Sequence, residues 1–98
     1  MIHVIVRHKV ADYSRWKAAF DNHLGTRKAA GEVGSRVLQS VDDPSEVTIL
    51  LDWDSLDSAR KFAGSDDLKR TMQQAGVVGD ADVRFLQDAY SIRRSAAD

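Results

Sequence analysis

Residues Ile2 to Lys9 alternate apolar and polar side chains and are rich in β-branched types, the pattern of a strand with one buried face. Asp12 then offers an N-cap, and Tyr13, Trp16, Phe20 and Leu24, spaced by three and four, place an apolar stripe on a helix running to about Ala30. Gly31 and Gly34 stop that helix. Arg36 to Val41 and Val47 to Trp53 read as two further strands, joined through the turn-forming run Asp42-Asp43-Pro44-Ser45 into a hairpin. Asp54, with Asp57 three residues on, predicts the start of a second helix. Gly64 interrupts it, and Ser65 caps a second segment that opens with Asp66 and Asp67 and ends near Gly76. Val83 to Tyr90 is the last predicted strand.

The order strand–helix–strand–strand–helix–strand predicts an α+β, ferredoxin-like βαββαβ fold: a four-stranded antiparallel sheet with both helices on one face. Residues 1–92 are expected to form one domain, since 98 residues leave no room for a second core, and 93–98 a frayed tail. Right-handed crossovers suggest that the first and third strands lie in the centre, parallel to each other.

The third strand fixes the faces. Val47, Ile49, Leu51 and Trp53 share one side, predicted to lie under the helices with Val4, Val6, Leu38, Val83 and Phe85. The opposite side is not polar. Ile5, Val37, Leu50 and Leu86 fall there among His3, Arg7, Gln39, Thr48, Asp52, Arg84 and Asp88, with cross-strand pairs expected between Arg7 or Arg84 and Asp52 or Asp88. Four aliphatic side chains spread over every strand predict a covered face, and a second copy of the sheet would cover it as a closed, two-fold homodimer.

Composition narrows the function classes. The chain is 43% hydrophobic and 30% charged, with 14 Lys and Arg against 15 Asp and Glu, so there is no general attraction to nucleic acid or anionic membranes. No apolar run approaches the roughly 20 residues that cross a bilayer, and the patterned N-terminus lacks a signal-peptide layout, so a cytoplasmic location is the default expectation. Cysteine is absent, which removes disulfides and thiolate chemistry. The three histidines share no ligand spacing, and no metal site is expected. Neither a phosphate-binding glycine loop nor a nucleophile elbow is present. RNA-recognition domains share the strand order but carry aromatics on the open face of the first and third strands; here Ile2 to Lys9 has no aromatic, and Trp53 is expected on the helix side.

The candidate chemistry lies on the helix side. His8, Tyr13, Trp16, Phe20, His23, Arg27 and Trp53 are placed there by alternation and helical spacing, as an aromatic chamber with two imidazoles. His8 or His23 could serve as a general base, with Tyr13, Trp16, Phe20, Arg27 and Trp53 shaping the pocket. The plainer alternative makes the aromatics core and the histidines rim. A chamber of a few hundred cubic ångströms beside His8 separates the two.

The phrases VRHKVADYSRWKAAFDNH (from Val6 to His23), SVDDPSEVTILLDWDSLDSARKFAGSDDLKRTMQQAG and DVRFLQ together resemble the dimeric α+β barrel superfamily, and within it small bacterial proteins of the antibiotic biosynthesis monooxygenase or cyclase-like type. That resemblance implies a homodimer with facing sheets and a cavity in each subunit between sheet and helices. It implies an oxygenase or cyclase working on a small apolar or aromatic metabolite without metal, flavin or other cofactor. Haem-degrading relatives keep an iron-ligating histidine on the second helix, and Ser55 to Ala75 has none. Trp53 falls where some members keep a functional tryptophan. The other function class open to this chain is a non-catalytic dimeric ligand-binding or structural module.

Overall fold

A computed structural model describes residues 1–92; the tail expected from Arg93 lies outside the described residues. In chain order the elements are β1 (Ile2–Val10), α1 (Tyr13–Asn22), α2 (Leu24–Ala30), β2 (Glu32–Gln39), β3 (Glu46–Trp53), α3 (Leu56–Ala63), α4 (Asp66–Gln74) and β4 (Val77–Gln87). The strands form one antiparallel sheet in the order β2-β3-β1-β4, the ferredoxin-like arrangement, with each predicted helix broken into two pieces. Among the described residues no helix is long and apolar enough to cross a membrane.

Caps explain the boundaries. Asp12 accepts a hydrogen bond from the Arg15 backbone N–H and starts α1, as expected. The cap of α3 is Ser55, which accepts from the Ser58 N–H at 3.1 Å, and not Asp54. Ser65 caps α4 through the Leu68 N–H. Gly31 ends α2 with φ 119°, a left-handed conformation that glycine adopts without steric cost, and an added Cβ would lie 2.6 Å from the Asp54 carboxylate.

The central pair corrects one expectation. β1 and β3 are antiparallel, with Ile2 opposite Trp53 and His8 opposite Val47. The crossover makes β1 parallel to β2, and the hairpin reverses the chain once more, so β3 inserted between them must run against both. His8 and Trp53 therefore occupy opposite ends of the sheet.

The second correction is the phase of β2. Pairing with β3 slips by one residue between Glu32 and Gly34, and beyond the slip Val37 lies opposite Ile49 and Leu38 opposite Thr48. Val37 thus packs on the core while Leu38 faces outward. Val and Leu are adjacent in this strand, so alternation alone cannot choose between the two registers. The open face consequently carries Ile5, Leu38, Leu50 and Leu86, one aliphatic from each strand. Leu24, expected on the buried stripe, is 43% exposed, because α1 has ended before it.

The charged pairs on the open face also differ from expectation. His3 takes both acids, with Nδ1 2.5 Å from Asp52 and Nε2 2.6 Å from Asp88, while Arg7 pairs with Glu46 and Arg84 with Asp82. The two carboxylate hydrogen bonds, that of Asp88 the stronger, raise the His3 pKa above its ordinary value.

Candidate active site

Between sheet and helices lies a cavity of about 80 Å³, walled by β1, β3, Val83 of β4 and all four helices. It is bounded at one end by His8 and Trp16 and further along by His23, Arg27 and Phe62. The helix α1 runs back from the C-terminal end of β1, so its successive turns carry the aromatic wall from one end of the cavity to the other. Tyr13, Trp16 and Phe20 form a continuous stack, with ring centroids 6.0 and 5.2 Å apart. His8 meets Trp16 edge-on at 5.6 Å. At the far end His23 lies 5.9 Å from Phe62, which packs in turn on Trp53 at 5.0 Å.

Of the seven residues singled out in the sequence, His8, Trp16, Phe20, His23 and Arg27 line the cavity. Tyr13 and Trp53 do not. Tyr13 stands outside, tilted against Trp16, and Trp53 is wholly buried against Phe62, its indole N–H without a partner among the described residues. The antiparallel sense of β1 and β3 is what separates Trp53 from His8.

His8 is the unusual wall residue. It is 5% exposed, and neither ring nitrogen has a hydrogen-bond partner among the described residues. Leaving a buried polar group unpaired costs about 1–3 kcal/mol. Burial pushes its pKa below the ordinary histidine value, so the ring is neutral, with one nitrogen able to donate and the other to accept. Beside it the β1–β4 ladder bulges: Arg7 pairs with Asp82 and Lys9 with Val78, so Gly79 to Ala81 bow out opposite His8.

Arg27 serves the fold. Its Nε donates to Glu32 at 3.0 Å, its Nη1 to the Phe20 carbonyl at 2.6 Å, and its guanidinium lies 3.7 Å from the Phe20 ring centroid. The Phe20 carbonyl sits in the last turn of α1, where helical partners run out, and Arg27 helps satisfy it.

Reading the chain alone missed the wall supplied by α3 and α4: Phe62, Leu68, Thr71, Met72 and Ala75. The spacing of Leu68, Thr71, Met72 and Ala75 is helical and was available as a signal. Asp67, read as a helix-start residue, also meets the wall residue His23 from outside the cavity, its Oδ2 2.8 Å from His23 Nε2.

The chain matches the sequence profile of the antibiotic biosynthesis monooxygenase family over residues 1–74. No curated protein sequence matches it. Among solved structures, a protein described as an antibiotic biosynthesis monooxygenase from Bordetella bronchiseptica superposes with a TM-score of 0.75 at 19% identity, covering 91% of this chain and 97% of that one. SnoaB from Streptomyces nogalater, described as a cofactor-independent oxygenase, gives 0.76 at 11% identity, covering 95% and 97%. Rv0793 from Mycobacterium tuberculosis gives 0.70 at 18% identity, covering 94% and 98%. At such identities the structural likeness is one of fold.

Proposed function

The chain belongs to the antibiotic biosynthesis monooxygenase family, and we propose that it is a cofactor-independent oxygenase acting on a small hydroxylated aromatic compound. The observation that carries this reading is His8: an imidazole buried in the wall of an apolar cavity with no hydrogen-bond partner among the described residues. A ligand hydroxyl or carbonyl would recover the hydrogen bonds that folding leaves unmade there. Family membership and the fold shared with a protein described as a cofactor-independent oxygenase support the reaction class.

The chemistry needs only a base and a dry, apolar site. With a hydroquinone, His8 or His23 takes a hydroxyl proton, and the phenolate places electron density on the neighbouring ring carbon. That carbon bonds to dioxygen. Loss of water from the peroxide leaves a hydroxyquinone, so one oxygen atom enters the product and the other leaves as water. The substrate supplies all four electrons. Ligand pockets usually span roughly 300–1,000 Å³, so the volume of about 80 Å³ limits the substrate to a single ring at most.

Dioxygen uptake by the purified protein with single-ring hydroquinones tests the reading. One dioxygen should be consumed per hydroxyquinone formed, with one labelled atom from ¹⁸O₂ in the product. Protein that takes up no dioxygen above background would leave the second reading, a non-catalytic ligand-binding or structural module. The cavity of about 80 Å³, short of the few hundred cubic ångströms expected of an open chamber, is the observation in its favour.

We also propose that the open sheet face is closed by a second copy of the chain, seated on Ile5, Leu38, Leu50 and Leu86. Leu38 and Leu86 are 39% and 44% exposed in the single chain, an apolar patch drawn from every strand. Sedimentation velocity at micromolar concentration should show a dimer for the natural chain and a monomer for Leu50→Asp. A monomeric natural chain rejects the pairing.

A further inference from the structure

The two cavity imidazoles sit in opposite environments. Among the described residues His8 has no hydrogen-bond partner, whereas His23 is bound through Nε2 to the Asp67 carboxylate at 2.8 Å. We propose that His23 and Asp67 form a proton-accepting dyad for a hydroxylated single-ring ligand: His23 takes the hydroxyl proton, Asp67 is its positioning residue, and His8 stays neutral across the cavity. The inference rests on the reading that this cavity takes a ligand, and it names which of the two histidines is the base.

Geometry carries the assignment. His23 stands at the joint between α1 and α2, and its side chain is 11% exposed in the cavity wall. Asp67 lies in the first turn of α4, where the free backbone N–H groups favour a negative charge. A carboxylate on Nε2 holds the proton of the neutral ring on that nitrogen and leaves Nδ1 to accept another. When Nδ1 takes the ligand's proton, the ring becomes an imidazolium already paired with Asp67, and the ligand becomes a phenolate. His8 lacks such a counter-charge, and burial opposes its protonation.

The other charged groups nearby leave this pairing in place. Arg70, on α4, reaches Asp67 at 3.8 Å, and the hydrogen bond from His23 followed by these charges holds the Asp67 carboxyl below its ordinary pKa, so it remains ionised. Arg27, on α2, has its charge met by Glu32. Environments that set two titratable groups apart divide acid–base roles between them.

4-Nitrophenol is a suitable probe, because it is a single ring and its phenolate absorbs at longer wavelength than its phenol. Bound to the natural protein it should ionise at lower pH than in free solution. Asp67→Asn should raise the bound probe's ionisation midpoint by about one pH unit, roughly tenfold in the ionisation constant. Asp67→Glu should recover most of that shift, His23→Gln should abolish the protein's effect, and His8→Gln should move the midpoint less than His23→Gln does. Asp67 is half-exposed, so its replacement leaves the core intact. Binding with a midpoint indifferent to Asp67 and His23 overturns the dyad while the ligand site stands. Absence of any binding by titration calorimetry overturns the ligand site, and the dyad with it.

Discussion

Glu32→Ala is expected to destabilise the protein by about 3–5 kcal/mol, the cost of stranding one member of a buried ion pair. The side chains of Arg27 and Glu32 are only 3% and 2% exposed, and Glu32 is the acidic partner of Arg27. With the carboxylate gone, the guanidinium keeps one neutral carbonyl and the face of Phe20, neither of which offsets a desolvated charge. Replacing both residues by apolar side chains of similar length should cost far less, since the stranded charge is then removed as well. Urea denaturation of the single and double variants separates the two effects. A loss below about 1 kcal/mol in Glu32→Ala would mean that water reaches Arg27. The consequence extends to the site, because Arg27 holds Phe20 against Trp16 and so supports the aromatic wall.

Much of the fold could be read from local pattern. The strict alternation of Val47, Ile49, Leu51 and Trp53 identified the core face, and all four are buried. Asp12 and Ser65 marked helix starts because a short acceptor before an apolar stripe is a local signal. Failures occurred where a decision depends on the whole chain. The sense of β1 against β3 follows from counting reversals through a crossover and a hairpin, and no residue in either strand encodes it. The phase of β2 turns on a one-residue slip beside Gly34, invisible in a strand where Val37 and Leu38 are adjacent.

The site shows the same division. His8, Trp16, Phe20, His23 and Arg27 could be placed in the cavity wall by period alone. Asp67 could not, because its role depends on α4 folding back until its first turn meets the α1–α2 joint. A carboxylate after a serine cap is ordinarily a helix-start residue. Asp67 is that as well as the partner of His23, and sequence position reveals only the first role. Arg27 shows the converse: its position suggested a ligand-facing cation, while its contacts bind it to Glu32 and Phe20.

His8→Phe should make the protein more stable and remove the proposed oxygenase activity. The imidazole is buried with two unmet nitrogens, so an apolar ring of similar shape relieves about 1–3 kcal/mol of desolvation cost, and the cavity beside it takes the added volume. The change should also reshape the pH dependence. Burial lowers the folded-state pKa of His8 beneath its ordinary value of 6.5, so on acidification through that value the unfolded chain takes up a proton that the folded chain refuses. Stability therefore falls below about pH 6.5 in the natural protein, and His8→Phe should flatten this arm. His3 acts in the opposite sense. Its folded-state pKa is raised by Asp88 and Asp52, so its stabilising contribution is complete below 6.5 and is lost as pH rises through the raised value. Urea midpoints at about pH 5, 6.5 and 8 should show the acid arm removed in His8→Phe and the alkaline arm kept. A His8→Phe variant less stable than the natural protein at neutral pH would show that the imidazole is satisfied within the fold, and would withdraw the main support for a ligand at that position. A variant that is more stable and inactive would show stability given up for function at a single side chain.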